Sequence, residues 1–153
     1  MPETKVANRH TGFCAKSKSG DESVTSSTTS QNDDHLVFNV GASETWLIQY
    51  DIFLTVGAST NFKWELSVPS GAAAAAHVKV PNNSTCADIS DATAGTTTTT
   101  SAASGSNHAH YQIFAKVTSS STAGAVQLQW AQGTSSATAL TLKSRSKLVA
   151  VRE

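Results

Sequence analysis

The sequence predicts an all-β fold, an antiparallel β-sandwich or barrel of about eight short strands. Three observations point to it. Apolar residues recur at every second position in several runs, the period of a strand and not of a helix. Clusters of Gly, Pro, Asn and Ser separate the runs. Polar residues fill the alternate positions, as at Lys63/Glu65 and Gln127/Gln129, so each strand has one wet face and an all-parallel sheet is excluded.

Along the chain, residues 1–31 offer only Val6, Phe13 and Val24 to a core, scattered among Lys, Ser, Thr and Asn. This stretch reads as an extended N-terminal arm that orders against something else, with the sandwich domain over 32–153. Leu36, Phe38 and Val40 begin the alternation, and Gly41-Ala42 interrupts it. Trp46, Ile48, Tyr50, Ile52, Leu54 and Val56 share one parity; after a turn at 57–61, Phe62, Trp64, Leu66 and Val68 share another run. A short link between two alternating runs predicts a hairpin. Pro69-Ser70-Gly71 ends the second strand, and Ala72–Ala76, too short to nucleate a helix alone, leads into a strand at His77–Val80. Residues 84–109, with five consecutive Thr at 96–100, fit either an exposed edge strand or a long polar loop. Tyr111, Ile113, Ala115 and Val117, then Val126, Leu128 and Trp130, restore the alternation before strands at 137–142 and 148–151. The expected core therefore includes Phe38, Trp46, Ile48, Tyr50, Ile52, Phe62, Trp64, Leu66, Ile113, Val126, Leu128 and Trp130. Leu47 and Phe53 fall on the opposite parity of the longest run, as residues covered by a subunit interface would.

Composition narrows the function classes. The 153 residues carry 11 basic and 11 acidic side chains, a balance that argues against a nucleic-acid partner, which needs a cationic surplus. The balance is uneven along the chain. Residues 1–18 hold four cations and one acid, 143–153 hold four cations and one acid, and the remainder holds three Lys and nine acids. Lys5, Arg9, Phe13, Lys16 and Lys18 are thus candidate docking residues for an acidic protein surface. No apolar run approaches the ~20 residues of a membrane span, and no signal-peptide core is expected at the N-terminus. Two cysteines, Cys14 and Cys86, are too few for a disulfide scaffold, though a single intramolecular disulfide is conceivable.

Several stretches together resemble a known family. They are Asp21 to Thr29, Gln31 to Phe38, Glu44-Thr45-Trp46, Phe62-Lys63-Trp64, Val68 to Ala72, Gly124 to Gln132 and Thr134 to Thr138, followed by a closing basic strand. In this order they are similar to β-sandwich modules of tailed-bacteriophage virion proteins, over residues 21–153. The resemblance implies a jelly-roll-like sandwich, a homotrimer, and a place on a phage head, tail or fibre. With no fibre shaft before the sandwich, it points to a capsid decoration (cement) protein. Such a protein binds the major capsid protein on the outer surface of the phage head and is assembled in the bacterial cytoplasm. A tail- or fibre-associated module recognising host-surface glycan is the alternative.

Chemistry-bearing residues are sparse. His108 and His110 would share a strand face, but no His, Asp or Glu lies within fifteen residues of the pair to complete a metal site. Asp33-Asp34-His35 stands at a strand entrance, where Asp bonds its own backbone. No phosphate loop, nucleophile elbow or metalloprotease motif occurs. Trp46, Trp64 and Trp130 lie on the apolar parity, as core residues and not as a sugar platform. No enzyme activity, cofactor or metal is expected.

Overall fold

The structure is a computed structural model that describes residues 12–57, 60–81, 86–93, 98–100 and 109–153. In chain order its strands begin with β1 (Phe13–Ser17), β2 (Glu22–Val24), β3 (Gln31–Val40) and β4 (Thr45–Thr55). They continue with β5 (Phe62–Ser67), β6 (Ala73–Pro81), β7 (Cys86–Thr93) and β8 (Thr98–Thr100). The last four are β9 (Ala109–Thr118), β10 (Gly124–Gln132), β11 (Leu140–Leu142) and β12 (Lys147–Arg152). All pair antiparallel, in two sheets. The fold is all-β, a β-sandwich, and no helix occurs among the described residues.

The strand order is that of a jelly roll. The larger sheet runs β1-β12-β4-β9-β6-β7 and the smaller β3-β10-β5-β8. Eight of these strands (β1, β3, β4, β5, β8, β9, β10 and β12) pair first with last, second with seventh, third with sixth, and fourth with fifth. That nested pairing is the signature of two interlocked Greek keys. The β6–β7 hairpin extends the larger sheet beyond β9, and the short β2–β11 pair attaches beside β4.

The core lies between the sheets. Trp46, Ile48, Tyr50 and Ile52 of β4 and Ile113 of β9 face Phe38, Phe62, Trp64, Leu66, Val126, Leu128 and Trp130 of the smaller sheet, and every one of these is buried. Leu36, Leu54, Val78, Tyr111, Leu140, Leu142 and Leu148 are among its other members. Phe38 meets Trp46 edge to face, with ring centroids 5.3 Å apart, a favoured aromatic geometry.

The nested pairing changes four expectations. First, the arm expected over residues 1–31 is in part sandwich. β1 pairs with the last strand along its whole length, from Phe13 opposite Val151 to Ser17 opposite Lys147. β2 pairs with β11, and Val24 joins the core. Residues 1–11, with Lys5 and Arg9, lie outside the described residues. Second, β4 and β5 do not form a hairpin; they belong to opposite sheets. Two runs with apolar residues on one parity suit facing sheets as well as neighbouring strands. The crossing turns at Gly57, whose carbonyl accepts from Thr60 N–H. A Cβ on Gly57 would stand 2.4 Å from Thr138 Cγ2, so only glycine fits. Third, the alanine run is itself strand: Ala73–Ala76 lies in β6, between β7 and β9, with Ala74 and Ala76 buried. Tertiary pairing overrides helix propensity there. Fourth, the expected strand at 137–142 shortens to β11. The Thr run supplies β8, the edge of the smaller sheet.

Candidate functional site: the outer face of the larger sheet

The alternate residues of the larger sheet point away from the core, and the register aligns them in rows. Phe13 stands opposite Val151, Val151 opposite Leu47, and Leu47 opposite Lys116. In the adjoining row Val149 stands opposite Gln49 and Gln49 opposite Phe114. Phe13 (57% exposed), Val151 (47%), Leu47 (46%) and Phe114 (38%) are the exposed large apolar side chains among the described residues. All four fall on this one face. Leu47, Phe114, Val149 and Val151 line an open depression of about 450 Å³ there. Contiguous exposed apolar surface on one face marks an interaction site, whereas scattered single residues do not.

Sequence reasoning reaches part of this patch. Leu47 is flagged by its parity and Phe13 as a docking candidate; Phe114 and Val151 are missed, although Phe114 also breaks the parity of its run. Phe53, expected beside Leu47 at a subunit interface, is instead half-buried by its own chain. Its ring stacks on His110 at 4.4 Å and 13°, and the Arg145 guanidinium lies 4.9 Å from its centroid. His110 Nε2 is 3.3 Å from Asp51 Oδ1, and Asp51 also accepts from Gln49 and Gln112 at 3.1 and 2.9 Å. His108 and the Cys86 side chain lie outside the described residues, and Cys14 is a half-buried free thiol packed on the core.

Of the basic docking candidates, Lys16 is exposed, but Lys18 is not available for docking. Its side chain is fully buried, and its ammonium donates to Asp33 Oδ2 at 2.6 Å and Glu22 Oε2 at 2.8 Å. Asp33 Oδ1 accepts from the backbone N–H of His35 and Leu36 at 2.9 and 2.7 Å. These amides lie where the β3–β10 register jumps between Gln127 and Gln129, so Asp33 satisfies backbone groups that the bulge removes from the ladder. Gln127 Nε2 closes the same bulge by donating to the Asp33 carbonyl at 3.0 Å. The cluster has metal-like composition, with ligand atoms of Glu22, Asp33 and His35 all within 4.8 Å of one another. Lys18 already supplies its cation. Beside it, burial first, then the Asp33 and Cys14 charges, push the Tyr50 hydroxyl far above its usual range.

Glu44, in the Glu-Thr-Trp stretch, performs a similar local task at the opposite end of β4. Its carboxylate accepts from Gly41 N–H at 2.7 Å, Trp46 Nε1 at 2.9 Å and Arg152 at 2.8 Å. Desolvation raises its pKa, but the bonds from Trp46, Gly41 and Arg152 outweigh it and hold the carboxyl below the usual glutamate range. A lowered folded-state pKa stabilises the protein above the unfolded value, and the benefit disappears as pH falls through the folded value. The Glu44→Gln variant is therefore expected to lose stability at pH 7. Its melting temperature should also decline less steeply than that of the wild type below about pH 4.3, as followed by circular dichroism across pH 2–7. Parallel acid limbs for the two proteins would remove Glu44 from the acid response.

No family model matches the chain, and no curated protein matches it. Among solved structures, one titled "Structure of infectious bursal disease virus Gx strain" aligns with 92% of this chain at 11% identity and a TM-score of 0.19. This chain spans 39% of the length of that one. A superposition of that quality carries no inference, and the jelly roll rests on the strand order alone.

Proposed function

We propose that the chain is a structural virion protein, a capsid decoration protein that binds the outside of a phage head and stabilises the lattice of the major capsid protein. The observation that carries this reading is the gathering of the exposed large apolar side chains on one sheet face. Contiguous exposed apolar surface of this kind suits a macromolecular partner. The resemblance over residues 21–153 supplies the identity of the lattice and the expectation of a homotrimer. The polar clusters that could suggest catalysis have structural tasks: Lys18-Asp33-Glu22 fastens a bulge and Glu44 caps a turn. The mechanism is mechanical, because a ligand that binds only the assembled lattice stabilises it by mass action. The glycan-binding alternative calls for exposed aromatic platforms; Trp46, Trp64 and Trp130 are all buried, and Phe13 and Phe114 are the exposed aromatic side chains among the described residues.

Immunogold labelling of virions tests the reading directly. Label over the head is expected, and label confined to the tail would overturn it in favour of the tail module. Light scattering of the purified protein tests the trimer.

A further inference from the structure

Lys18, Asp33 and Glu22 are arranged as the reactants of a condensation. The Lys18 and Asp33 side chains have no solvent exposure, and Glu22 keeps 22%. Lys18 Nζ stands 2.6 Å from Asp33 Oδ2 and 2.8 Å from Glu22 Oε2, so one nitrogen touches two separate carboxyl groups. The two Asp33 oxygens have different surroundings. Oδ2 faces the nitrogen, whereas Oδ1 accepts from the backbone N–H of His35 and Leu36 at 2.9 and 2.7 Å. Two fixed amides at that range stabilise the negative charge that develops on a carboxyl oxygen when its carbon is attacked. Glu22 is held through its other oxygen, Oε1, which accepts from Gln31 Nε2 at 2.9 Å. Fastening the bulge needs only Asp33 and the two amides. A buried lysine with a second carboxylate on the same nitrogen is more than that task requires.

We propose that Lys18 and Asp33 condense to an intramolecular isopeptide bond, with Glu22 as the proton carrier and the His35 and Leu36 amides as the oxyanion donors. The ion pair is the reactant state, and its energetics are those of chains that have not condensed. One proton passes from Nζ to Asp33 Oδ2 along their contact, giving an amine and a carboxylic acid. Desolvation of both charges lowers the cost of that transfer. The Nζ lone pair then bonds to Cγ, and the carbonyl electron pair moves onto Oδ1, between the two N–H groups. Glu22 takes a second proton from Nζ and gives it to the Oδ2 hydroxyl. The Cγ–Oδ2 bond breaks, water leaves, and the electron pair returning from Oδ1 restores the C=O of an amide. Ammonium plus carboxylate thus becomes amide plus one water, with Glu22 ionised again and no oxidant consumed. The fold supplies proximity in place of a bimolecular encounter and a water-poor interior that opposes the reverse hydrolysis. The bond ties the residue directly after β1 to β3 of the opposite sheet. Tension on the N-terminus then reaches the smaller sheet through a covalent link and not only through the β1–β12 ladder. The inference does not depend on the capsid-binding reading.

The test is the intact mass of the denatured full chain, measured at intervals after refolding at neutral pH. Wild type is expected to lose the mass of one water. Digestion with trypsin and a glutamate-specific protease should then release residues 17–22 joined to 23–44 as one branched peptide. Lys18→Met should keep its full mass. Glu22→Gln, shown to be folded by its thermal melt, should condense at least ~100-fold more slowly, the low end of what a positioned acid–base group contributes. Wild type that keeps its full mass after prolonged incubation would overturn the bond and leave Lys18 and Asp33 as an ion pair. Water loss without the branched peptide, as from a cyclised aspartate, would overturn it as well. A folded Glu22→Gln protein that condenses at the wild-type rate would overturn the proton-carrier role.

Discussion

Replacing Lys18 with Met is expected to destabilise the protein by about 3–5 kcal/mol, the usual result of breaking a buried ion pair from one side. The methylene stem is retained, so little packing is lost. What remains is a fully buried Asp33 carboxylate with no cation, beside a Glu22 that loses the same donor. Backbone N–H groups of His35 and Leu36 satisfy only one Asp33 oxygen. The other would face a low-dielectric interior, and such groups carry large desolvation penalties. The position adds a mechanical consequence. Lys18 N–H donates to the Ser146 carbonyl at 3.0 Å beyond the β1–β12 ladder, while its ammonium reaches β3 of the other sheet. The side chain thus ties the first strand of the jelly roll to the second across the edge of the sandwich. Urea denaturation of wild type, Lys18→Met, Asp33→Asn and the double variant measures the effect. The amide introduced by Asp33→Asn keeps an oxygen that can accept from the two backbone N–H groups. The double variant is therefore expected to recover more than half of the single loss. A Lys18→Met protein within about 1 kcal/mol of wild type, with weakened head binding, would return Lys18 to the docking residues and remove the structural account.

Lys18 also illustrates what the sequence can and cannot convey. Alternation makes β3, β4, β5, β9 and β10 legible, because each has one buried and one wet face and the period of two survives in the residue types. β1 has no such record. As an edge strand it exposes Phe13, Ala15 and Lys16 together, so Phe-Cys-Ala-Lys-Ser reads as an arm. Its pairing with β12 joins the two ends of the described chain, a contact invisible to any local pattern. The same limit applies to the link between β4 and β5. Residues 57–61 can reverse a chain within a sheet or carry it across to the facing one, and the decisive close contact, Gly57 against Thr138, comes from far along the chain. Buried charge is hidden for a related reason: Lys18 and Asp33 look like surface residues until β1 and β3 are brought together. The apolar patch is half legible. Leu47 and Phe114 break parity within their strands, but only the register shows that they are neighbours of Val149, Val151 and Phe13.

Trp130→Ala is expected to destabilise the protein by about 3–5 kcal/mol, the range for removing a large aromatic side chain from a close-packed core. Trp130 is fully buried on β10, the strand that pairs with both β3 and β5, and Trp64 stands directly opposite it in register. Removing the indole opens a void that rigid neighbours on two strands refill only in part. Trp64→Ala should have a similar effect. The double variant should then fall short of the sum, because residues in direct contact share the cavity they leave. Thermal and urea unfolding of the three variants measures this, with near-ultraviolet circular dichroism reporting the loss of ordered indole. The same variants separate the two classes of function. A core tryptophan affects binding only through the fraction of folded molecules. Trp130→Ala protein held below its melting temperature should therefore bind heads as the wild type does, in proportion to its folded fraction. A sugar platform would behave in the opposite way, with an unchanged melting temperature and binding to host-surface glycan abolished. That outcome would place the indole at the surface and reverse both the packing assignment and the choice of a decoration protein over a tail module.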